Sequence, residues 1–441
     1  MVSVYSKSLQ VYNAEAFKHD ISNEEARIHL TIGRSTPWPN ENAPPQTNTS
    51  VTVFNDVYKN MVGGKLLTGN DVYHVIPRIN WEANTSYAAY DHCTCSLMLF
   101  DTANVHFYVV TDEWNVYKCI ANNNSGVSTV KPTSTSTVGT VTTEDNYTWK
   151  FMYQISPAEQ LRFTTNEYIP IRSVISNDNS LQWQVQNNAV AGAIHAVKIA
   201  NTGSGYTSAN LSWTGDGEGF AAYATVNTTS QKIENVVITN PGQDYTYLDF
   251  NVEGDGQDAQ LRAMIPPPGG HGSDALYELG GSYLILNPRI KGSESGYLPV
   301  SNDYRQIALI NDIKSRTTGE LLTNTVFSQA TIVPVTGISD TQFSRDEIAY
   351  QGINFELATF YGTVLDWDQS NNVLTLINTV GTPTQQTIVG VSSGAQRFAL
   401  SGSITYPEAE RYSGRMLYTD NLKPIIRAAD QTEDFKIIIK F

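Results

Sequence analysis

The sequence predicts a mainly β protein, and three observations carry that expectation. Tyr, Thr, Asn, Ser and Gly are abundant while Lys and Glu are sparse for a helical chain. Short runs of β-branched and aromatic residues alternate with Asn, Gly and Thr turns, as in Phe107-Tyr108-Val109-Val110-Thr111 and Trp149-Lys150-Phe151-Met152-Tyr153. One stretch is a tandem repeat with glycines at fixed places, the mark of a small supersecondary unit used twice. At 441 residues the chain exceeds the usual size of one core, so two or three domains are expected.

Residues 14–20 read as a short helix that Asn13 can cap. Residues 27–32 alternate like a strand and stop at Gly33, and 35–46 form a Pro/Asn loop holding Trp38. Residues 53–67 are the best helix candidate, with Val57, Met61 and Val62 near helical spacing, interrupted by Gly63-Gly64. From 72 to 155 the chain reads as strands. Within it, the Ser/Thr-rich segment 125–143 is either a linker or, from its Thr/Val alternation, a hairpin arm. A helix is expected at 274–279, a hairpin at 364–376 around Ser370-Asn371-Asn372, and a paired terminal strand at 435–441.

The repeat is the clearest internal feature. Val197 and Val236, Tyr206 and Tyr245, and Gly215 and Gly254 are each 39 positions apart. Each copy reads as strand, Asn-x-Gly turn, aromatic, strand, Gly-rich turn, strand. The expected organisation is 1–190 as the first part of a core, 191–266 as an inserted tandem-repeat β-subdomain, and 267–441 as the second part of the core. Pro266-Pro267-Pro268-Gly269-Gly270 marks the second boundary.

A net charge of −15 with no basic run of five or more argues against nucleic-acid and polybasic membrane binding, since phosphate affinity comes from Lys and Arg releasing counterions. It is compatible with solubility at high concentration. Three cysteines, Cys93, Cys95 and Cys119, do not make a disulfide framework and suit a reducing cytoplasm. Met1-Val2-Ser3-Val4-Tyr5 carries no secretory signal pattern, and no apolar run approaches the ~18 residues of a spanning helix.

No catalytic residue, cofactor or metal is expected. His92-Cys93-Thr94-Cys95 with Cys119 is the one metal-like cluster, but Cys-x-Cys is shorter than the usual zinc spacing and places both thiols on one face of a strand. The turns Gly215-Asp216-Gly217 and Gly254-Asp255-Gly256 offer carboxylates to calcium but lack the order of known calcium loops; tight turns explain their glycines. His271, in Gly270-His271-Gly272-Ser273-Asp274, is placed like a site residue. The plainer reading is a helix start capped by Ser273 or Asp274. Trp38, between Pro37 and Pro39, is the candidate partner-interface residue, either an exposed anchor or a ring that tucks its loop onto the core.

Several words in fixed order carry a resemblance. They are Ile32-Gly33-Arg34 with Trp38; Asn60-Met61 through Lys65-Leu66; Val75-Ile76-Pro77-Arg78-Ile79-Asn80-Trp81; the strands of Tyr117 and Trp149; residues 267–279; Gly414-Arg415-Met416-Leu417-Tyr418 with Asn421, Lys423, Pro424 and Ile425; and Gln431-Thr432-Glu433-Asp434. In these the chain resembles a baseplate wedge subunit of contractile-tailed, T-even-like phages, the one present as a dimer in each wedge. The resemblance implies a layered β-sandwich core with short helices in its loops. It also implies a homodimer, other baseplate wedge proteins as partners, a place in the virion after synthesis in the host cytoplasm, and a structural, non-catalytic role. The repeat departs from it. The competing class is a receptor-binding or glycan-degrading tail protein.

Overall fold

The computed structural model describes residues 6–93, 107–294, 296–400 and 402–441. Thr94, Cys95 and the part of the expected strand run up to residue 106 lie outside them. The fold is mainly β, with helices in its connections. No helix among the described residues is long and apolar enough to cross a membrane. The chain divides into two compact units. One gathers Met1–Ala16, Tyr73–Ile285 and Ile438–Phe441, the other Phe17–Val72 and Leu286–Ile437.

The first unit contains a layered sandwich. One sheet has the spatial order Ile437–Lys440, Tyr283–Leu286, Val72–Pro77, Tyr168–Ile171. The other has the order Tyr108–Val110, Asn115–Asn122, Tyr147–Gln154, Val141–Thr142. Strand alternation sets Ile76, Ile169 and Ile171 of the first sheet against Tyr108, Val110, Val116 and Met152 of the second, with Leu276 and Leu279 in the same cluster. The far face of the second sheet packs Tyr117, Cys119, Trp149 and Phe151 against Tyr87 and Val185. The far face of the first packs Val75 and Ile285 on Phe163. Both sheets are therefore buried on both sides, which is why their strands read as near-continuous apolar runs. The terminal strand pairs within the first sheet, as its apolar sequence requires.

Segment 125–143 forms little strand: Val141–Thr142 pairs with Tyr147–Gln154, and Ser128 makes an isolated bridge to Thr85. Asp145 accepts Thr129 N at 2.7 Å and Val130 N at 2.9 Å, taking the donors that a hairpin arm would have used.

The repeat builds six strands with an internal two-fold relation. Copy one supplies Val197–Ser204, Ala209–Gly215 and Glu218–Asn227; copy two supplies Lys232–Gln243, Leu248–Gly254 and Gln257–Ala263. The middle strands pair with each other antiparallel, Ser212 opposite its own counterpart Asn251. The first strand of each copy pairs with the third strand of the other: Glu218 meets Gln243, and in the same way Gln257 meets Ser204. Neither copy completes its own pairing, so the two fold as one body. Trp213, Phe220 and Phe250 meet edge-to-face in its core. Its two ends lie together, Met264 N donating to Ala196 O at 3.0 Å.

In the second unit a five-stranded sheet runs in the order Val326–Ser328, Met61–Leu66, Ile28–Gly33, Tyr304–Asn311, Arg415–Ile425. Beside it in sequence, Thr331–Gly337, Val373–Val380, Phe360–Asp368, Ile348–Gln351, Thr387–Gly390 and Gln396–Ala399 close into a barrel. Val333, Phe360, Val364, Leu374, Leu376 and Ile388 fill it. The expected hairpin at 364–376 is one of its ribs: Asp368 accepts Ser370 N and Asn371 N, and Asn372 takes a positive φ of 54°.

Two helices differ from expectation. The first runs Lys7–Ser22, so Asn13 lies inside it and does not cap it. The second runs only Val51–Asn60 under a Ser50 cap, and Met61–Leu66 is a strand. Gly63 and Gly64 are the cause. A Cβ on Gly63 would lie 2.5 Å from Phe327 O, and one on Gly64 2.6 Å from the Phe327 ring, so these glycines let the strand Val326–Ser328 approach.

Candidate functional site

A cluster of buried titratable groups lies in the first unit, in the sandwich interior. Lys118 and Lys150 sit directly opposite each other on neighbouring strands, in runs otherwise apolar. Both are buried. Like charges facing across a ladder repel, and a buried cation needs a partner. Glu278 supplies it. Its Oε2 accepts Lys118 Nζ at 2.6 Å, and its Oε1 accepts Gly272 N at 2.7 Å and Asp274 N at 3.2 Å.

His271 completes the group, its Nδ1 3.0 Å from Lys118 Nζ. Because the ammonium donates there, the ring proton belongs on Nε2, which has no hydrogen-bond partner. The Tyr90 ring lies 4.3 Å from Lys118 Nζ and meets His271 edge-on. Burial and the neighbouring lysines hold His271 well below the ordinary histidine range. Burial also lowers Lys118 and brings Lys150 to about 8. His195, close to His271, is lowered to about 4 by burial and by Lys150.

The loop that places these groups follows from its sequence. Asp274 caps the turn Ala275–Glu278 by accepting Leu276 N and Tyr277 N, while Ser273 Oγ turns back to Pro268 O. That one-turn helix points Leu276 and Leu279 into the core and Glu278 at the lysines. The helix-start reading of this motif therefore describes the backbone: Asp274 is the cap, and the carboxylate near His271 is Glu278, its Oε2 4.0 Å from Nδ1. Lys118, Lys150 and Glu278 were missed. The available signal was a lysine at the centre of each of two apolar strands.

The remaining candidates are engaged in structural work. Asp216 accepts Thr246 N, Thr246 Oγ1 and Tyr247 N; Asp255 accepts Thr207 N, Thr207 Oγ1 and Ser208 N. Each copy of the repeat thus caps a turn of the other. These bonds, from the threonine hydroxyls first, hold both carboxyls at about 2. Asp91, His92 and Cys93 come together. Yet Asp91 Oδ2 already binds Arg262 at 2.7 Å and Lys198 at 3.0 Å, tying the repeat to the loop before it. Burial alone would raise Asp91, but Lys198 and Cys93 N pull it below the usual range. Buried Cys119 faces the aromatic cluster of Trp149, and burial raises its thiol.

Trp38, in the second unit, is 7% exposed. Its Nε1 donates to Leu422 O at 3.0 Å, and the Arg34 guanidinium lies 3.7 Å from the ring centre. Thr47 Oγ1 donates to Thr419 O, and Asn421 Nδ2 to Pro45 O. The loop thereby covers part of the edge strand Arg415–Ile425. Arg305 holds its other side through Glu41 and Ser35 O. Pro37, Pro39, Asn40 and Asn42 face solvent. A polar hollow of about 650 Å³ in the same unit is lined by Arg316, Thr318, Asn324, Tyr406 and Glu408. The Glu408 carboxylate there already accepts Ser328 N and Asn324 Nδ2.

The fold is layered β, and its buried charges join one segment of chain to another. Comparison with known proteins makes this specific. A family model described as Bacteriophage T4, Gp8 matches residues 4–130. The baseplate wedge protein gp8 of Enterobacteria phage T4 is 28% identical over 238 residues, 44% of this chain and 68% of that protein. The chain is similar to a baseplate wedge subunit of T4-like phages.

Proposed function

We propose that this chain is a structural component of a phage tail baseplate wedge, binding neighbouring wedge proteins during baseplate assembly and catalysing nothing. The observation that carries the reading is the match of residues 4–130 to the gp8 family model, joined by identity to the wedge protein of phage T4. The engagement of its carboxylates supports it: Glu278, Asp91, Asp216, Asp255 and Glu408 each serve backbone donors or cations of their own chain. Its place is the tail baseplate of the virion.

The expected partners are a second copy of the chain and other wedge proteins, with no cofactor, metal, nucleic acid or membrane involved. A sandwich with open sheet edges needs those edges covered, and a homodimer covers them. In this reading Trp38 serves the interface as the fixture that shapes loop 35–46, whose prolines and asparagines present themselves to a partner. Assembly interfaces bury well over ~1,000 Å², so a preformed loop contributes by being ordered before contact. The test is reconstitution. Tagged chain co-expressed with the other wedge proteins of its phage is expected to purify as a dimer within a wedge complex. A chain that stays monomeric and captures none of them overturns the proposal.

A further inference from the structure

We propose that Lys118 and Glu278 condense spontaneously into an intramolecular amide that crosslinks the strand Asn115–Asn122 to the glycine-rich loop. The inference is independent of the baseplate reading. Lys118 Nζ and Glu278 Oε2 are 2.6 Å apart, with side-chain exposures of 0% and 3%. Two backbone donors, Gly272 N and Asp274 N, converge on Oε1 of the same carboxyl. His271 Nδ1 lies 3.0 Å from the amine and 4.0 Å from Oε2. Nucleophile, electrophile, oxyanion donors and proton carrier are thus assembled in one water-poor place.

The chemistry balances without a co-reactant. The Lys118 ammonium gives one proton by way of His271 to Oε2 of Glu278, and the lone pair of the resulting amine attacks Cδ of the now neutral carboxyl. The new C–N bond pushes electrons onto Oε1, where the Gly272 and Asp274 N–H groups hold the charge. The C–Oε2 bond then breaks and Oε2 leaves as water. Of the three ammonium protons two depart in that water, the first through His271, and one stays on the amide nitrogen. The ion pair and the product differ by one water and nothing is oxidised or reduced.

Desolvation favours the step. A buried ion pair carries a heavy solvation penalty, and an amide removes both charges. Burial depresses the Lys118 ammonium, which raises the share of nucleophilic amine. The two residues are 160 positions apart, and the whole repeat lies between them. The link would pin the base of that insert covalently to the sandwich.

The test is peptide mapping of the full chain, purified, held at neutral pH for days, then denatured and digested with trypsin. The expected result is a branched peptide joining the Lys118 and Glu278 segments, lighter by one water than its two linear parts. It should be uncleaved at Lys118, absent from Lys118→Met, and slower to appear in His271→Asn. Water loss alone does not decide, because Asp216-Gly217 and Asp255-Gly256 form cyclic imides with the same loss. Linear peptides cut after Lys118, with free Glu278, accounting for all of the folded wild-type protein throughout overturn the proposal, whatever the variants do.

Discussion

Glu278 is the carboxylate that pairs with buried Lys118 in the sandwich interior. Removing it leaves Lys118 and Lys150 facing each other in a buried ladder with no carboxylate. Glu278→Leu is expected to cost about 3–5 kcal/mol, read as a lower denaturant midpoint. Lys118→Met should cost less, because the Glu278 carboxylate keeps its backbone donors Gly272 N and Asp274 N. Acid sensitivity also belongs to single residues. Burial lowers His29 from 6.5 to about 4, and His195 to about 4. Between the folded and unfolded values the unfolded chain binds more protons, so this contribution is complete above pH 6.5 and is lost as pH falls toward about 4. For fully buried His29 it amounts to about 3 kcal/mol. Asp145, at about 2, acts in a lower window, from 3.8 downward. Denaturant midpoints measured from pH 7 to 4 should therefore fall before the carboxylates titrate, and His29→Leu should flatten that fall. An unchanged slope in the variant would remove His29 from the account.

At the scale of elements, the repeat shows what a sequence period reveals and what it conceals. The period, its glycines and its turn aspartates were legible. The pairing was not, because a period specifies a unit without specifying which copy completes it. The glycines acquire their reason only from that exchange. Tyr206 lies on Gly254 and Gly256 of the other copy, and Tyr245 on Gly215 and Gly217. A Cβ on Gly217 would sit 2.3 Å from Gln243 O and 2.6 Å from the Tyr245 ring. Gly217→Ala is expected to destabilise the protein by roughly 1–3 kcal/mol through that overlap, measured by urea unfolding, and a neutral effect would contradict the packing described. The strand Met61–Leu66 was misread as helix for a related reason: the two glycines that broke the helical pattern were making room for Phe327, a contact far away in sequence. Lys118 and Lys150 were hidden differently. Each looked like an ordinary lysine until the ladder set them face to face and the loop brought Glu278 over them.

At the scale of the whole molecule, the mainly β character and the similarity to a wedge subunit were readable from composition and from words in fixed order. The division into two units was not, because the chain passes between them more than once and each is assembled from distant segments. The proposal that the repeat is a separable insert now has a geometric reason, since Ala196 and Met264 are hydrogen-bonded neighbours. Excising residues 197–263 with a short bridge is expected to leave a cooperatively folding remainder. Loss of the cooperative melt would make the repeat part of the core. The most direct measurement of the central claim is electron microscopy of lysates from a phage whose copy of this gene is deleted. The account predicts that assembled baseplates are missing and that incomplete wedges accumulate. Complete, contractile particles that only fail to adsorb to the host would contradict it.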